Sequence, residues 1–237
     1  MLKRKNWNQW FAGLVDADGC LLISKQGYAS LEITMGIKDE EALYEIKHKL
    51  GGYVKSRPGI KAFRYRLHNL KGIKNVINRI NGLCRNSVRI KQLKHLCYYF
   101  NIPFKKPEIL NLNSAWFAGF FDGDGTIGYS FKNNWPQLII SISNKNIEDC
   151  KPFENNFGGT IRLDKASNVY KWEIYSKKEI INFIIYIQKY PLKSVKAHRI
   201  KLVYEFLTLR QIRAYKKTSE KTYKLWVQLE KKWTSTL

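Results

Sequence analysis

The chain has 237 residues, 44% of them hydrophobic, which is enough to bury one large core or two small ones. It carries 42 Lys and Arg against 19 Asp and Glu, a formal net charge of +23. That excess calls for a polyanionic partner, nucleic acid first and an acidic membrane surface second, with AT-rich coding as a contributing cause. The 14% aromatic content excludes a disordered chain. Cys20, Cys84, Cys97 and Cys150 form no C-x-x-C pair, which argues against a zinc ribbon, and a chain with this much core needs no disulfide framework. No apolar run approaches the ~20 residues that span a bilayer.

In chain order, the basic start MLKRKNWNQW runs straight into a structured segment and leaves no room for a cleavable leader. The protein is therefore expected to act where it is made, in a reducing compartment. A helix follows over WFAGLVDADG, which starts at Trp10; Asn6 or Asn8 is its expected cap and Gly19 its end. Strands are expected at 21–28 and 30–35. In the second, Leu31, Ile33 and Met35 alternate with Ser30, Glu32 and Thr34. A helix at 39–50 stops at Gly51-Gly52, strands follow at 53–57 and 63–68, a helix at 73–80, and a fourth helix begins near Ser87. Pro103 and Pro107 then interrupt regular structure, so 101–113 reads as a linker.

After the linker the chain repeats itself. WFAGFFDGDG, from Trp116, matches the first motif at seven of ten positions, 106 residues further on. Leu50-Gly51-Gly52 aligns with Phe157-Gly158-Gly159, and Ser87-Val88-Arg89 with Ser194-Val195-Lys196, both 107 residues apart. One register covers nearly the whole length, so the chain is two copies of one unit, residues 1–100 and 114–237. The second motif helix is expected to be capped by Asn113 or Ser114 and to end at Gly125. Leu138, Ile140 and Ile142 alternate with Gln137, Ile139 and Ser141, and an extra helix at 211–233 shows Tyr223, Trp226 and Leu229 on one side. The fold class is α+β: two αββαββα-like halves, each with a four-stranded antiparallel sheet whose one face packs on helices while the other is polar.

Two features of the motif carry chemistry. Ala12-Gly13 and Ala118-Gly119 place small residues in mid-helix, where Gly costs about 1 kcal/mol relative to Ala. Their simplest use is a close approach of the two motif helices at a central interface. The second feature is an acid pair at each helix end, Asp16 with Asp18 and Asp122 with Asp124. A helix C-terminus already carries partial negative charge and unpaired carbonyls. Carboxylates converging there make an oxygen-only site for a hard divalent cation, with Mg²⁺ the expected ion. The alternative is a pair of Asp-Gly turns without metal. An EF-hand lacks its later ligands here.

WFAGLVDADG and WFAGFFDGDG resemble the two signature motifs of the LAGLIDADG homing endonucleases in their two-motif, single-chain form. The resemblance covers essentially the whole chain. It implies a saddle of two sheets that sits on double-stranded DNA, with the motif helices at its centre. It implies that the last acid of each motif, Asp18 and Asp124, is catalytic and binds metal, helped by the carbonyls of Ala17 and Gly123, with Asp16 and Asp122 as structural caps. The family also places a basic residue before the fourth helix. Lys193 is taken for that role over Lys196; in the first copy the register sets Asn86 opposite Lys193, and a one-residue slip is needed to give the role to Arg85.

The polar strand faces then form the reading surface. In copy one it holds Ser24, Gln26, Glu32, Thr34, Lys55, Arg57, Arg64 and Arg66; in copy two Ser130, Lys132, Gln137, Ser141, Arg162, Asp164, Lys171 and Glu173. Arg suits guanine, Gln adenine and a carboxylate cytosine. The two sets differ, so the site should not be palindromic. The reading is a monomeric, Mg²⁺-dependent DNA endonuclease making double-strand breaks in a long site, with Mn²⁺ or Ca²⁺ able to substitute for binding. The alternatives are an intron RNA maturase, with host intron RNA as partner, and a cleavage-inactive DNA-binding protein. No membrane partner is expected, and the setting is an organelle or an archaeal cytoplasm.

Overall fold

Apolar residues at every second position draw each half's strands into a sheet with one buried face. The computed structural model describes residues 2–235. In the first half β1 (Gly19–Ile23), β2 (Ala29–Gly36), β3 (Tyr53–Ser56) and β4 (Ala62–Leu67) pair antiparallel in the order β1-β2-β4-β3. In the second, β5 (Gly125–Lys132), β6 (Trp135–Asn144), β7 (Thr160–Asp164) and β8 (Val169–Ile174) repeat that order. Leu31, Ile33 and Met35 are buried, as are Leu138, Ile140 and Ile142. The expected class, α+β in two repeated halves, is the observed one.

Helices cover the buried faces. They are α1 (Leu2–Asp18), α2 (Glu40–Leu50), α3 (Leu70–Ile80) and α4 (Ser87–Tyr99) in the first half. The second has α5 (Trp116–Asp124), α6 (Ile147–Phe157), α7 (Lys177–Lys189), α8 (Lys196–Gln211) and α9 (Glu220–Thr234). Local chemistry sets their ends. The Asn86 side chain accepts hydrogen bonds from the Val88 and Arg89 amides, and the Ser176 side chain accepts one from the Glu179 amide. α2 and α6 stop at Gly51 and Gly158, whose φ values of 79° and 75° suit glycine.

Several expected boundaries moved. α1 begins at Leu2, so Asn6 and Asn8 lie within it and cap nothing; Asn8 Oδ1 instead accepts from Arg79 at 2.9 Å. The buried Trp7, stacked on Phe11 at 5.0 Å, extends the helix's apolar side upstream of the motif. Before α5, Ser114 Oγ accepts from the Trp116 amide at 3.2 Å. β1 ends at Ile23, because Gly27 (φ 85°) turns the chain and the Ser24 amide donates to the Tyr28 carbonyl. The tail is two helices: α8 runs to Gln211, Arg213 sits at φ 55°, and α9 starts at Glu220 with Trp226, Leu229 and Trp233 buried. Residues 101–113 hold no helix or strand.

The halves meet along α1 and α5. A Cβ built on Gly13 would fall under 3 Å from the Trp116 carbonyl oxygen, and one on Gly119 under 3 Å from that of Trp10. The two backbones touch, which is why Gly, despite its helical cost, occupies both positions.

Candidate active site

Side-by-side packing of α1 and α5 brings their C-terminal ends together, and with them four aspartates of two kinds. Asp16 and Asp122 are buried, each 1% exposed. Each is held by the other half's tryptophan: Trp10 Nε1 donates to Asp122 Oδ2 and Trp116 Nε1 to Asp16 Oδ2, both at 2.7 Å. Each also accepts backbone amides from the segment that enters the fourth helix of its own half, Arg85 for Asp16 and Lys193 and Ser194 for Asp122. Burial raises both acids, Asp16 to about 7, and the donors oppose the rise. These acids brace the interface through the other half's tryptophans.

Asp18 and Asp124 are half-buried and face one another. Burial raises the Asp18 carboxyl to about 7, with the Asp124 charge adding to the rise and Lys196 and Arg89 opposing it. Asp124 is raised by burial against the same two cations. Gly123 is packed against this pair: a Cβ there would lie 2.5 Å from Ala17 Cβ and 2.9 Å from Asp18 Oδ2. The second motif therefore reads D-G-D where the first reads D-A-D, since there is room for one methyl group and not two.

Two cations crown the helix ends. Lys196, at the start of α8, donates from Nζ to the carbonyls of Phe121 (3.0 Å), Asp122 (2.7 Å) and Gly123 (2.5 Å). Arg89, in α4, donates to the carbonyls of Val15 (3.1 Å) and Ala17 (3.5 Å). Both sit where the helix dipole is negative and the carbonyls lack partners. The sequence preferred Lys193, but its ammonium pairs with Glu45 and lies over the Trp10 ring, 4.5 Å from the centroid. Its backbone amide, bonded to Asp122, fixes that direction. Arg85 is its counterpart, so the one-residue slip is real: its amide bonds Asp16, its guanidinium lies over Trp116 at 5.8 Å and donates to the carbonyls of Leu83 and Glu108. Asn86 caps α4. The repeat alignment held the missed signal, since it sets Arg89 opposite Lys196, a cation in both copies.

The donors available to a cation are two carboxylates and the carbonyls of Ala17 and Gly123, all hard oxygens. Among the described residues no group of three or more His, Cys, Asp or Glu gathers that could hold a metal. The set fits a hard divalent ion that takes its remaining ligands from phosphate and water, and no softer metal.

The open sheet faces flank this centre. Register puts Glu32 beside Arg66, Thr34 beside Arg64, and Lys55 beside Arg64 on one face. On the other it puts Ser130 beside Gln137, Ser141 beside Glu173, and Arg162 beside Lys171, with Lys132 and Asp164 at strand ends. Ser24 and Gln26 lie in the β1–β2 turn and Arg57 follows β3, outside the strands. Thr126 and Ser143 share the second face and were missed, although strand parity alone would include them. Most of the charged groups are already paired. Glu32 bonds Arg64 (3.2 Å) and Arg66 (2.6 Å), Glu173 bonds Arg162 (2.7 Å), and Asp164 bonds Lys171 (2.6 Å). Among the described residues no helix is long and apolar enough to cross a membrane.

A family model described as LAGLIDADG endonuclease matches residues 11–100 and again residues 117–207. The chain is 42% identical to the probable intron-encoded endonuclease aI2 of Debaryomyces hansenii, over 96% of this chain and 37% of that protein. It is 44% identical to the intron-encoded RNA maturase bI4 of Saccharomyces cerevisiae, over 97% of this chain and 37% of that protein. It thus spans little more than a third of the length of these two relatives. It is 32% identical to the intron-encoded DNA endonuclease ai2a of Dictyostelium discoideum, over 98% of this chain and 76% of that protein. Its fold is similar to that of the LAGLIDADG homing endonuclease I-LtrWI bound to target DNA, with a TM-score of 0.68, 20% identity and coverage of 100% and 99% of the two chains. It is similar also to that of I-GzeII in complex with its DNA target, with a TM-score of 0.67, 19% identity and coverage of 94% and 97%.

Proposed function

The chain belongs to the LAGLIDADG endonuclease family, and on that premise we propose that it is a site-specific DNA endonuclease that breaks both strands of a long duplex site by divalent-metal-dependent hydrolysis. The observation that carries this reading is the pairing of Asp18 and Asp124, each crowned by one cation, between two open polar sheets. Mg²⁺ is the proposed ion, with Mn²⁺ or Ca²⁺ able to take its place for binding, and Asp18, Asp124 and the carbonyls of Ala17 and Gly123 would hold it. The bound ion supplies a nucleophilic water at neutral pH and neutralises charge on the phosphorus oxygens.

The chain's own groups do the rest. Burial and the Asp124 charge push the Asp18 carboxyl up to about 7, and a bound cation would favour its carboxylate form. Lys196 and Arg89, tethered to helix-end carbonyls, hold positive charge beside the two places where scissile phosphates must lie, one per strand. We assign them the role the sequence gave Lys193; Lys193 acts through its amide, which positions Asp122. The sheets hold the duplex, with Arg64, Arg66, Arg162 and Lys171 exchanging carboxylate partners for base edges or phosphate. The unlike faces select a non-palindromic site, and both halves of the interface lie in one chain, so the enzyme works as a monomer. With roughly ten phosphate contacts, log K against log salt should have a slope near −9. Intron-encoded relatives and AT-rich composition point to an organelle as its setting.

The test is a cleavage selection on a randomised duplex library with Mg²⁺. Recovery of one long, asymmetric cut site supports the reading. Tight duplex binding without cutting in either Mg²⁺ or Mn²⁺ overturns it. A second reading, support of intron splicing through RNA binding, is favoured by the 44% identity to a protein named a maturase. Splicing of a host intron that depends on added protein would establish it.

A further inference from the structure

Arg85 and Lys193 are pseudo-symmetric, but their surroundings are not. Beside Arg85 the linker lines the groove along α1 with Lys105, Lys106 and Glu108 and leaves a cavity of about 460 Å³, and the Glu108 carbonyl accepts from the guanidinium at 3.2 Å. Beside Lys193 lies a second cavity, of about 320 Å³, which the linker touches only at its end, where Lys189 Nζ donates to Asn113 Oδ1 at 2.9 Å. Its wall carries four ammonium groups, those of Lys3, Lys49, Lys189 and Lys193, against the single carboxylate of Glu45. Three of them rest on aromatic faces that also line the cavity. Lys49 lies 5.5 Å from the Trp7 centroid, Lys189 5.4 Å from that of Tyr190, and Lys193 4.5 Å from that of Trp10. Such contacts steady a long side chain and leave its N–H donors available.

The cavity is offset from Asp18 and Asp124 and from the reading faces, with Trp10 and Lys193 between it and Asp122. At ~1.5 Å of rise per residue, Trp7 stands roughly 16 Å along α1 from Asp18. Lys49 ends α2 and Lys189 ends α7, helices that cover the buried sides of the sheets. The first turn of α1 adds Lys3, Arg4 and Lys5 and no acid, so like charge is stacked on the positive end of a helix dipole. A ligand anion at this place would relieve that repulsion.

We propose that this cavity is a second nucleic-acid site, which takes backbone phosphates of single-stranded RNA through Lys3, Lys49 and Lys189 while duplex DNA occupies the saddle. The volume admits a phosphate with its sugar and excludes a duplex, and lysines serve as point-charge phosphate donors. The choice of RNA rests on the second reading above; the anion site rests on the cavity itself.

The experiment uses the full chain in chelator, a labelled RNA strand of roughly 20 nucleotides and a DNA duplex of matching length. The wild type is expected to bind the RNA with the duplex already saturating. Lys49→Ala with Lys189→Ala is expected to weaken RNA binding about tenfold and shrink its salt slope by about 1.4, since each lost phosphate contact is worth about 0.7 on a single strand. Duplex affinity should stay constant. Lys177→Ala with Lys178→Ala removes the same charge at the far end of α7 and should leave RNA affinity unchanged. Should the first pair fail to melt cooperatively, Lys3→Ala carries the test and must weaken RNA binding by itself. Absence of RNA binding by the wild type, displacement of RNA by duplex, or equal weakening in the control pair overturns the proposal. RNA held in the cavity without any effect on splicing removes the second reading and leaves the site. Full splicing by the Lys49/Lys189 variant does the reverse.

Discussion

Behind its sheet the first half is mostly aliphatic, with Leu43, Ile46, Ile73, Val76 and Ile77 buried in one core with Leu31 and Ile33. The second half fills the same space with rings: Phe117 meets Phe153 and Phe157, Phe153 meets Trp172, and Phe157 meets Phe183, at centroid separations of 5.0–5.3 Å. The open faces diverge as well. One carboxylate, Glu32, sits between two arginines in the first half, whereas the second has separate Arg162–Glu173 and Lys171–Asp164 pairs. At the helix junction the divergence stops. Tryptophans, glycines and acids repeat, and of the three motif positions that differ, Ala17 against Gly123 is forced because both occupy one volume. A core tolerates exchange of shape if its volume is filled. Two backbones in contact leave no volume to exchange.

The largest expected effect tests whether the junction works symmetrically. Asp18→Asn and Asp124→Asn should each lower cleavage of the selected site by at least ~10²-fold, the scale of losing one charge-stabilising group, with duplex affinity kept. A nicking assay checks this, and one variant cutting normally would break the equivalence of the halves. Next, Gly13→Ala or Gly119→Ala pushes a methyl group into a carbonyl oxygen of the facing helix and should cost about 3 kcal/mol, at the top of the range for overpacking. Denaturant melts reporting less than 1 kcal/mol would mean the helices can part.

A milder contrast comes from the shared methyl position. Gly123→Ala should cost about 2 kcal/mol, and adding Ala17→Gly should recover part of it, because the 2.5 Å clash disappears while that with Asp18 Oδ2 remains. Costs that simply add would show that the two positions do not compete.

The smallest effect is one of pH. The Asp18 carboxyl is raised from 3.8 to about 7. Its contribution to metal-free stability is therefore complete below about pH 4 and lost as pH rises through 7. Asp18→Asn should be more stable than the wild type at pH 8 in chelator, by on the order of 2 kcal/mol, and indistinguishable at pH 3.5. The variant keeps a residual slope, because Asp16 is raised to about 7 as well. Parallel stability curves for the two proteins would rule out charge crowding at the junction.

Much of this was legible in the sequence because it depends on local periodicity. Alternation assigned the strand faces, and Gly51 and Gly158 closed their helices where a positive φ is needed. The duplicated motif named Asp18 and Asp124 without any coordinates. The start of α1 was not legible, since the helix extends upstream of the motif through Trp7, stacked on Phe11, rather than starting at a cap there. Nor was the choice between Lys193 and Lys196. They stand three residues apart with the same chemistry, and what separates them is the bond from the Lys193 amide to Asp122, which sends one side chain to Trp10 and leaves the other for the helix-end carbonyls.

By itself, then, the sequence determined a twofold α+β scaffold with one acid per half at a helix end, because hydrophobic period, glycine placement and duplication are properties of the chain read in one dimension. Only the tertiary structure decided which cations attend those acids, that each tryptophan braces the other half's aspartate, and that the linker runs along one of two equivalent grooves. The first two outcomes depend on directions of side chains between 72 and 112 residues apart, and such directions are set by packing that no local pattern encodes.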